Sequence, residues 1–327
     1  MSQNSRPPRP LDWWSPRLER AAVKQLLVRK DLPGVAAFLV WALLVGLSTW
    51  LLSRAWGSVW VVPGVLLQGA LLSFAYAASH EGAHGTAFRT VWLNEVVFYI
   101  TSFVFFEEPM YRRYTHARHH AATWYPGFDS QMPYHNPMTL RAYVRETLAV
   151  AAVVDTVALT FRLARGKLTE AEHSVIPDGK LTQLRWGARG FLVGQLAIVA
   201  AAVWMQSAFV VVALPVARVA GGWVAQLFIN SQHMCMAEAI PDHRYCTRSL
   251  RCWLPTRVLY WNMNFHIEHH LYPGIPFHAL PAVNRLIANE LPRPSRGVVA
   301  ANSEILRVIA RQASDPAFVA KPSFAAE

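Results

Sequence analysis

The sequence predicts an all-α integral membrane protein, with four transmembrane helices in two hairpins beneath a cytoplasmic helical cap rich in histidine. Three observations carry this. Charge-free runs come in two pairs, nearly all cations lie outside them, and eight of the 13 histidines fall into three tight groups beside them.

Taken in order, Leu32–Ser53 and Ala55–Ser79 contain no charged residue. Each run exceeds the about 20 residues a helix needs to cross roughly 30 Å of hydrocarbon. Gly190–Ala217 is also charge-free and continues past the single Arg218 to Ala237. That is the length of two crossings, with Trp204-Met205-Gln206-Ser207 as the turn and a kink at Pro215. The spans are therefore placed near 34–53, 58–79, 189–205 and 208–231. Val91–Phe106 carries Asn94 and Glu95 and suits a re-entrant or interfacial helix. Leu148–Phe161, with Asp155, reads as a helix on the membrane surface. Trp13, Trp14, Leu18, Ala22 and Leu26 predict an interfacial amphipathic helix leading into the first span. Met1–Leu11 is polar and Pro-rich, unlike a secretory signal. The organisation expected is a cytoplasmic N-terminal segment (1–33), a membrane domain (34–285), and a C-terminal linker, short helix and loose tail (286–327).

Composition agrees. Of the 327 residues, 53% are hydrophobic and 16% charged, which excludes a disordered or collagen-like chain. Three cysteines cannot form a paired framework and read as reduced thiols. The net charge of +11 is explained by topology, without nucleic acid. Residues 1–33 hold seven Lys and Arg, 80–189 twelve and 232–327 ten, leaving Arg54 and Arg218. By the positive-inside rule both termini and the middle segment face the cytoplasm. Arg outnumbers Lys 26 to 5, a bias of GC-rich bacterial genomes that points to a bacterial inner membrane.

The histidine groups are His80-Glu81-Gly82-Ala83-His84, His116-Ala117-Arg118-His119-His120 and His266-Ile267-Glu268-His269-His270. On a helix, residues three and four apart share a face, so each group aims its imidazoles one way. Neutral imidazole is a ligand for Fe, Zn, Cu or Ni. The first group is also a literal His-Glu-x-x-His, so a membrane zinc metalloprotease is one alternative, although it leaves six histidines idle. A metal transporter is another, but its sites belong within the spans.

In this order and at these positions, HEGAH, HARHH and HIEHH resemble the three histidine boxes of the membrane fatty-acid desaturase family. Asn264-Phe265-His266-Ile267-Glu268-His269-His270-Leu271-Tyr272-Pro273 resembles the last box of its acyl-lipid branch. The resemblance covers about residues 34–285. It implies a non-haem di-iron centre that uses O₂ to remove two hydrogens from an alkyl chain, a fatty-acyl chain in a lipid or thioester. It also implies His80, His84, His116, His119, His120, His266, His269 and His270 as ligands, with His233 as a ninth. Asn230 and Asn262 compete for a supporting role. A hydroxylase, ketolase or alkane monooxygenase with the same centre, or a desaturase of a small metabolite, is the neighbouring reading. No His-Pro-Gly-Gly haem motif is present, so electrons are expected from a separate ferredoxin, rubredoxin, cytochrome b5 or reductase.

Metal-bound histidines donate their other ring N–H to a carboxylate or carbonyl. Glu81, Glu268, Glu107, Glu108, Asp129 and Asp242 are the candidates, and at least two are expected to do so. Arg112, Arg113 and Arg118 are candidates for contact with an acidic headgroup, an acyl-carrier phosphate or a donor protein. The aromatics from Phe98 to Phe106, with Tyr111, Tyr114 and Trp124, are candidates to line a substrate tunnel. His135, His173, His243 and His278 are read as surface or otherwise satisfied histidines.

Overall fold

The computed structural model describes residues 12–324. Met1–Leu11, read above as a polar opening, lie outside the described residues, as do 325–327. Apart from one isolated bridge between Leu250 and Ser295, the described chain is helices, turns and loops. Four helices are long and apolar enough to cross a membrane: Asp31–Ala55, Val61–His84, Leu181–Trp204 and Phe209–His233. They overlap the four predicted spans: the first is longer at both ends, the third starts earlier, and the second, which begins at Val61 rather than 58, and the fourth end later. The second and fourth run on into His84 and His233, so metal-binding residue types sit at the ends of the spans.

The first, second and fourth spans share an apolar cluster that includes Trp41, Phe74 and Phe228, and small residues and polar contacts set where they cross. The second and fourth cross backbone to backbone: a Cβ on Gly69 would lie 1.8 Å from the Ala217 carbonyl oxygen. Gln68, fully buried, donates to Thr49 Oγ1 at 2.9 Å and to the Ala213 carbonyl at 3.2 Å, tying three spans together. Around Pro215 the fourth span widens into a π turn, Val212–Val216. Proline cannot donate to the helical ladder, and the wider turn absorbs that loss at the predicted kink position.

Between the hairpins, helix Val91–Phe105 packs on the HEGAH end of the second span, and Glu108 caps helix Pro109–Ala121 by accepting from the Tyr111 N–H. Helices Leu140–Thr147 and Val150–Arg165 meet at a 66° bend. The second lies against the third span, with Arg189 donating to the Ala164 carbonyl.

Two readings are corrected. Only Arg20–Leu26 of the expected interfacial helix is helical. Trp13 instead stacks on His243, with centroids 4.0 Å apart, and the Arg244 guanidinium lies 3.4 Å over the Trp14 ring. Pro16 delays the helix, and both indoles find partners in the cap. The expected C-terminal helix is present, but the tail after it is not loose up to residue 324. Helix Val298–Gln312 buries Ala301, Ile305 and Val308, Asn302 accepts from the Tyr143 hydroxyl, and the Ala320 N–H donates to the Cys235 carbonyl.

Candidate metal centre

Nine histidines from four helices converge on one buried region. His80 and His84 come from the second span and His233 from the last residue of the fourth. His116, His119 and His120 lie on Pro109–Ala121, and His266, His269 and His270 on His266–Leu271. They sort into two groups. His80, His84, His116, His120 and His269 present ring nitrogens within 4.8 Å of one another, and so do His119, His233 and His270. His266 joins the second group, its Nε2 lying 3.1 Å from that of His233 and 3.2 Å from that of His270. Each HxxHH box thus divides between the groups, because on a helix the second histidine of the box points to a different flank from the first and third.

The local chemistry fits metal ions. Nε2 atoms meet in pairs, as His116 with His84 at 2.9 Å and His269 with His120 at 3.1 Å. Burial, reinforced by the neighbouring imidazoles and Arg112, holds His116 well below the usual histidine pKa. Burial and the surrounding histidines do the same for His120, His266, His269 and His270. Neutral rings with convergent lone pairs are the metal-binding form. Both nitrogens of His80 are buried without a protein partner.

Four of the nine Nδ1 atoms are anchored on protein oxygens, while those of His80, His120 and His269 are buried without a partner. His119 Nδ1 lies 2.8 Å from the Asp129 carboxylate, His233 Nδ1 2.9 Å from the Cys246 carbonyl, and His116 Nδ1 3.1 Å from Gln131 Oε1. His270 Nδ1 faces Thr123 Oγ1 at 3.2 Å, whose own proton goes to the His119 carbonyl. A donor proton fixed on Nδ1 leaves Nε2 free to ligate.

Only one of the six candidate carboxylates contacts a box histidine. Burial would raise the Asp129 pKa, but His119 and the Trp124 and Gln131 N–H groups hold it below the usual carboxylate value. Glu81 faces away from the rings: its Oε1 accepts from Thr86 at 2.6 Å and from the Phe277 N–H at 3.0 Å, joining the first box to the loop after the third. That orientation opposes the zinc-protease reading, in which this Glu must reach metal-bound water. Glu268 is taken by Ser249 and Asn284, Glu108 by its cap, and Asp242 by Arg244. Gln131, Thr123 and the Cys246 carbonyl fill the places expected of carboxylates. Their types carry no charge pattern, so spacing does not find them.

A cavity of about 540 Å³ reaches the histidines and is lined by His80, His116, His119, His233 and His266. Asn230 borders it, donating to Thr147 and accepting from Gln226. Asn262 instead donates to the Phe277 carbonyl in a turn, away from the cavity wall. Of the proposed tunnel aromatics, Phe105, Phe106 and Trp124 line the cavity. Phe98 packs beneath Gly82, and Tyr111 and Tyr114 join Leu163 and Leu184. Arg112 borders the cavity, whereas Arg113 pairs with Glu95 at 2.8 Å and Arg118 with Ser174. His243 is buried between Trp13 and His270, and His135 and His173 are exposed.

Residues 57–300 match the family model described as fatty acid desaturase. No curated protein sequence matches the chain.

Proposed function

From the premise that this chain belongs to the fatty acid desaturase family, we propose that it is an O₂-dependent di-iron oxidoreductase that introduces a C=C bond into an acyl chain. The observation carrying the reading is the division of nine histidines into two groups of adjacent ring nitrogens beside a cavity. His80, His84, His116, His120 and His269 would hold one iron, and His119, His233, His266 and His270 the other. Two iron ions with O₂ supply the oxidising power that amino-acid side chains lack against an unactivated C–H bond. The chain's own residues do the rest. Asp129, Gln131, Thr123 and the Cys246 carbonyl orient the rings, while Tyr76, Phe105, Phe106 and Trp124 wall the cavity and exclude bulk water. Asn230, on the cavity wall, adds a polar group that accepts from Gln226 and donates to Thr147. A separate electron donor reaches the cap from the cytoplasm, the side to which the cation asymmetry assigns both termini, and a bacterial inner membrane is the setting.

The test is metal content and product together. Purified protein should hold two irons per chain, and its product should have lost two hydrogens. Zinc, or a single iron, would overturn the assignment. Gain of one oxygen would make the protein a hydroxylase with the same centre.

A further inference from the structure

The cavity beside the histidines contains a charge that the reaction does not require. Arg218 sits within the fourth span, and only 4% of its surface is exposed. Its Nε and Nη1 are buried without an acceptor. It lines the same cavity as His80, His116 and His233. The guanidinium carbon lies 4.1 Å over the Phe105 ring. That π face attracts the charge but accepts none of the in-plane N–H donors. Arg112 borders the cavity too, 5.4 Å over Tyr76, with its Nε likewise buried and unpartnered. One carboxylate serves the pair: Glu107, 3.4 Å from Arg112. Around Arg218, two guanidinium groups therefore face this one carboxylate. Elsewhere on the wall the charges pair, Arg145 with Asp155 and with Glu146 at 3.9 Å, and Arg162 with Glu172, so the excess of positive charge is local to Arg218 and Arg112. A buried, unpaired cation inside a membrane span is costly unless it has a partner or a task.

We propose that Arg218, assisted by Arg112, is the seat for an anionic group of the substrate, so that the substrate is a free acid rather than a neutral ester. This rests on the desaturase reading and departs from the lipid or thioester that the sequence resemblance implies. The arginines also set a scale. Phe105 and Tyr76 are 5.3 Å apart and Tyr76 and His80 5.7 Å, so with the 4.1 Å step the guanidinium lies within about 15 Å of the His80 ring. An acid anchored there presents carbon–hydrogen bonds part-way along its chain to the histidines. The cavity has the volume of an ordinary small-molecule site, about 300–1,000 Å³. Carboxylate and phosphate share the anionic chemistry, and their sources separate by experiment.

Binding of radiolabelled dodecanoate to purified, iron-loaded protein in detergent tests this without turnover. Unlabelled dodecanoate should displace the label and methyl dodecanoate should not, and Arg218→Gln should weaken binding at least tenfold while Arg218→Lys keeps part of it. Displacement by dodecyl phosphate would extend the seat to phosphate headgroups, and its failure would restrict the seat to carboxylates; both retain the anion site. Absence of dodecanoate binding, or equal displacement by the methyl ester with Arg218→Gln unchanged, would overturn the proposal. If Arg218→Gln fails to fold, Glu107→Gln decides. Removing the competing carboxylate should tighten dodecanoate binding severalfold, and unchanged affinity overturns the proposal. Iron content is read separately. Two irons with indifference to the acid would sink the seat and leave the desaturase standing, and acid binding with zinc bound would do the reverse.

Discussion

Asp129 accepts from His119 Nδ1 at 2.8 Å, and the same carboxylate takes the Trp124 and Gln131 N–H groups. Three donors fix its position, so the His119 ring is held with Nε2 turned to the metal region. Replacing such a partner costs about 10–100-fold in metal affinity or activity. Asp129→Ala should therefore lose iron on dialysis faster than wild type and fall by that factor in turnover, with membrane insertion unchanged. Full iron retention would assign Asp129 to loop architecture alone.

The Glu81 carboxylate bridges Thr86 and the Phe277 N–H instead of a ring. Glu81→Gln keeps an acceptor at Oε1 and should retain turnover within about tenfold of wild type, with a lower thermal midpoint because a buried amide N–H replaces Oε2. A zinc protease would lose its general base by the same change, and so nearly all its activity. Turnover of Glu81→Gln and wild type on an acyl substrate, with a peptide control, separates the two.

The four spans and the three boxes were legible because each has a short-range signature: unbroken apolar length and helical His spacing. The ring orienters were not. Gln131 and Thr123 are ordinary residue types that reach His116 and His270 only after the loops fold. Of the other five suggested carboxylates, Glu81 and Glu268 tie loops together, Glu108 and Asp242 cap helices and Glu107 pairs with Arg112, since adjacency in sequence to a box does not set the direction of a side chain. Arg218 was visible as a lone cation in an apolar run, and its meaning came from the cavity it borders.

Stability should depend on Glu108, which lies between helices rather than within a span. Burial pushes its carboxyl up to about 7, against the Tyr111 and Met110 N–H groups that favour the carboxylate. The folded state therefore binds this proton more tightly than the unfolded state. The stabilisation is full below the ordinary value of 4.5 and is lost as pH rises through about 7. It amounts to at most about 3 kcal/mol, at 1.36 kcal/mol per unit. Between pH 5 and 8 the thermal midpoint of wild type should fall more than that of Glu108→Gln. Parallel curves would show that this carboxyl ionises alike in both states.

Gly69 and Gly221 mark where the second and fourth spans touch. A Cβ at Gly69 would meet the Ala217 carbonyl oxygen at 1.8 Å, and one at Gly221 the Ala70 nitrogen at 2.4 Å. Both obstacles are backbone, so no side chain can rotate aside. The helices would have to separate, shifting His84 and His233 at their ends. Gly69→Val should cost at least about 3 kcal/mol, the upper range for overpacking, and lower iron content as well as thermal stability. Gly46, exposed on the first span with nothing within 4 Å of its Cβ position, is the control. Gly46→Ala should be neutral or stabilising by about 0.5–1 kcal/mol through helix propensity. Equal thermal midpoints for Gly69→Val and Gly46→Ala would refute the close crossing.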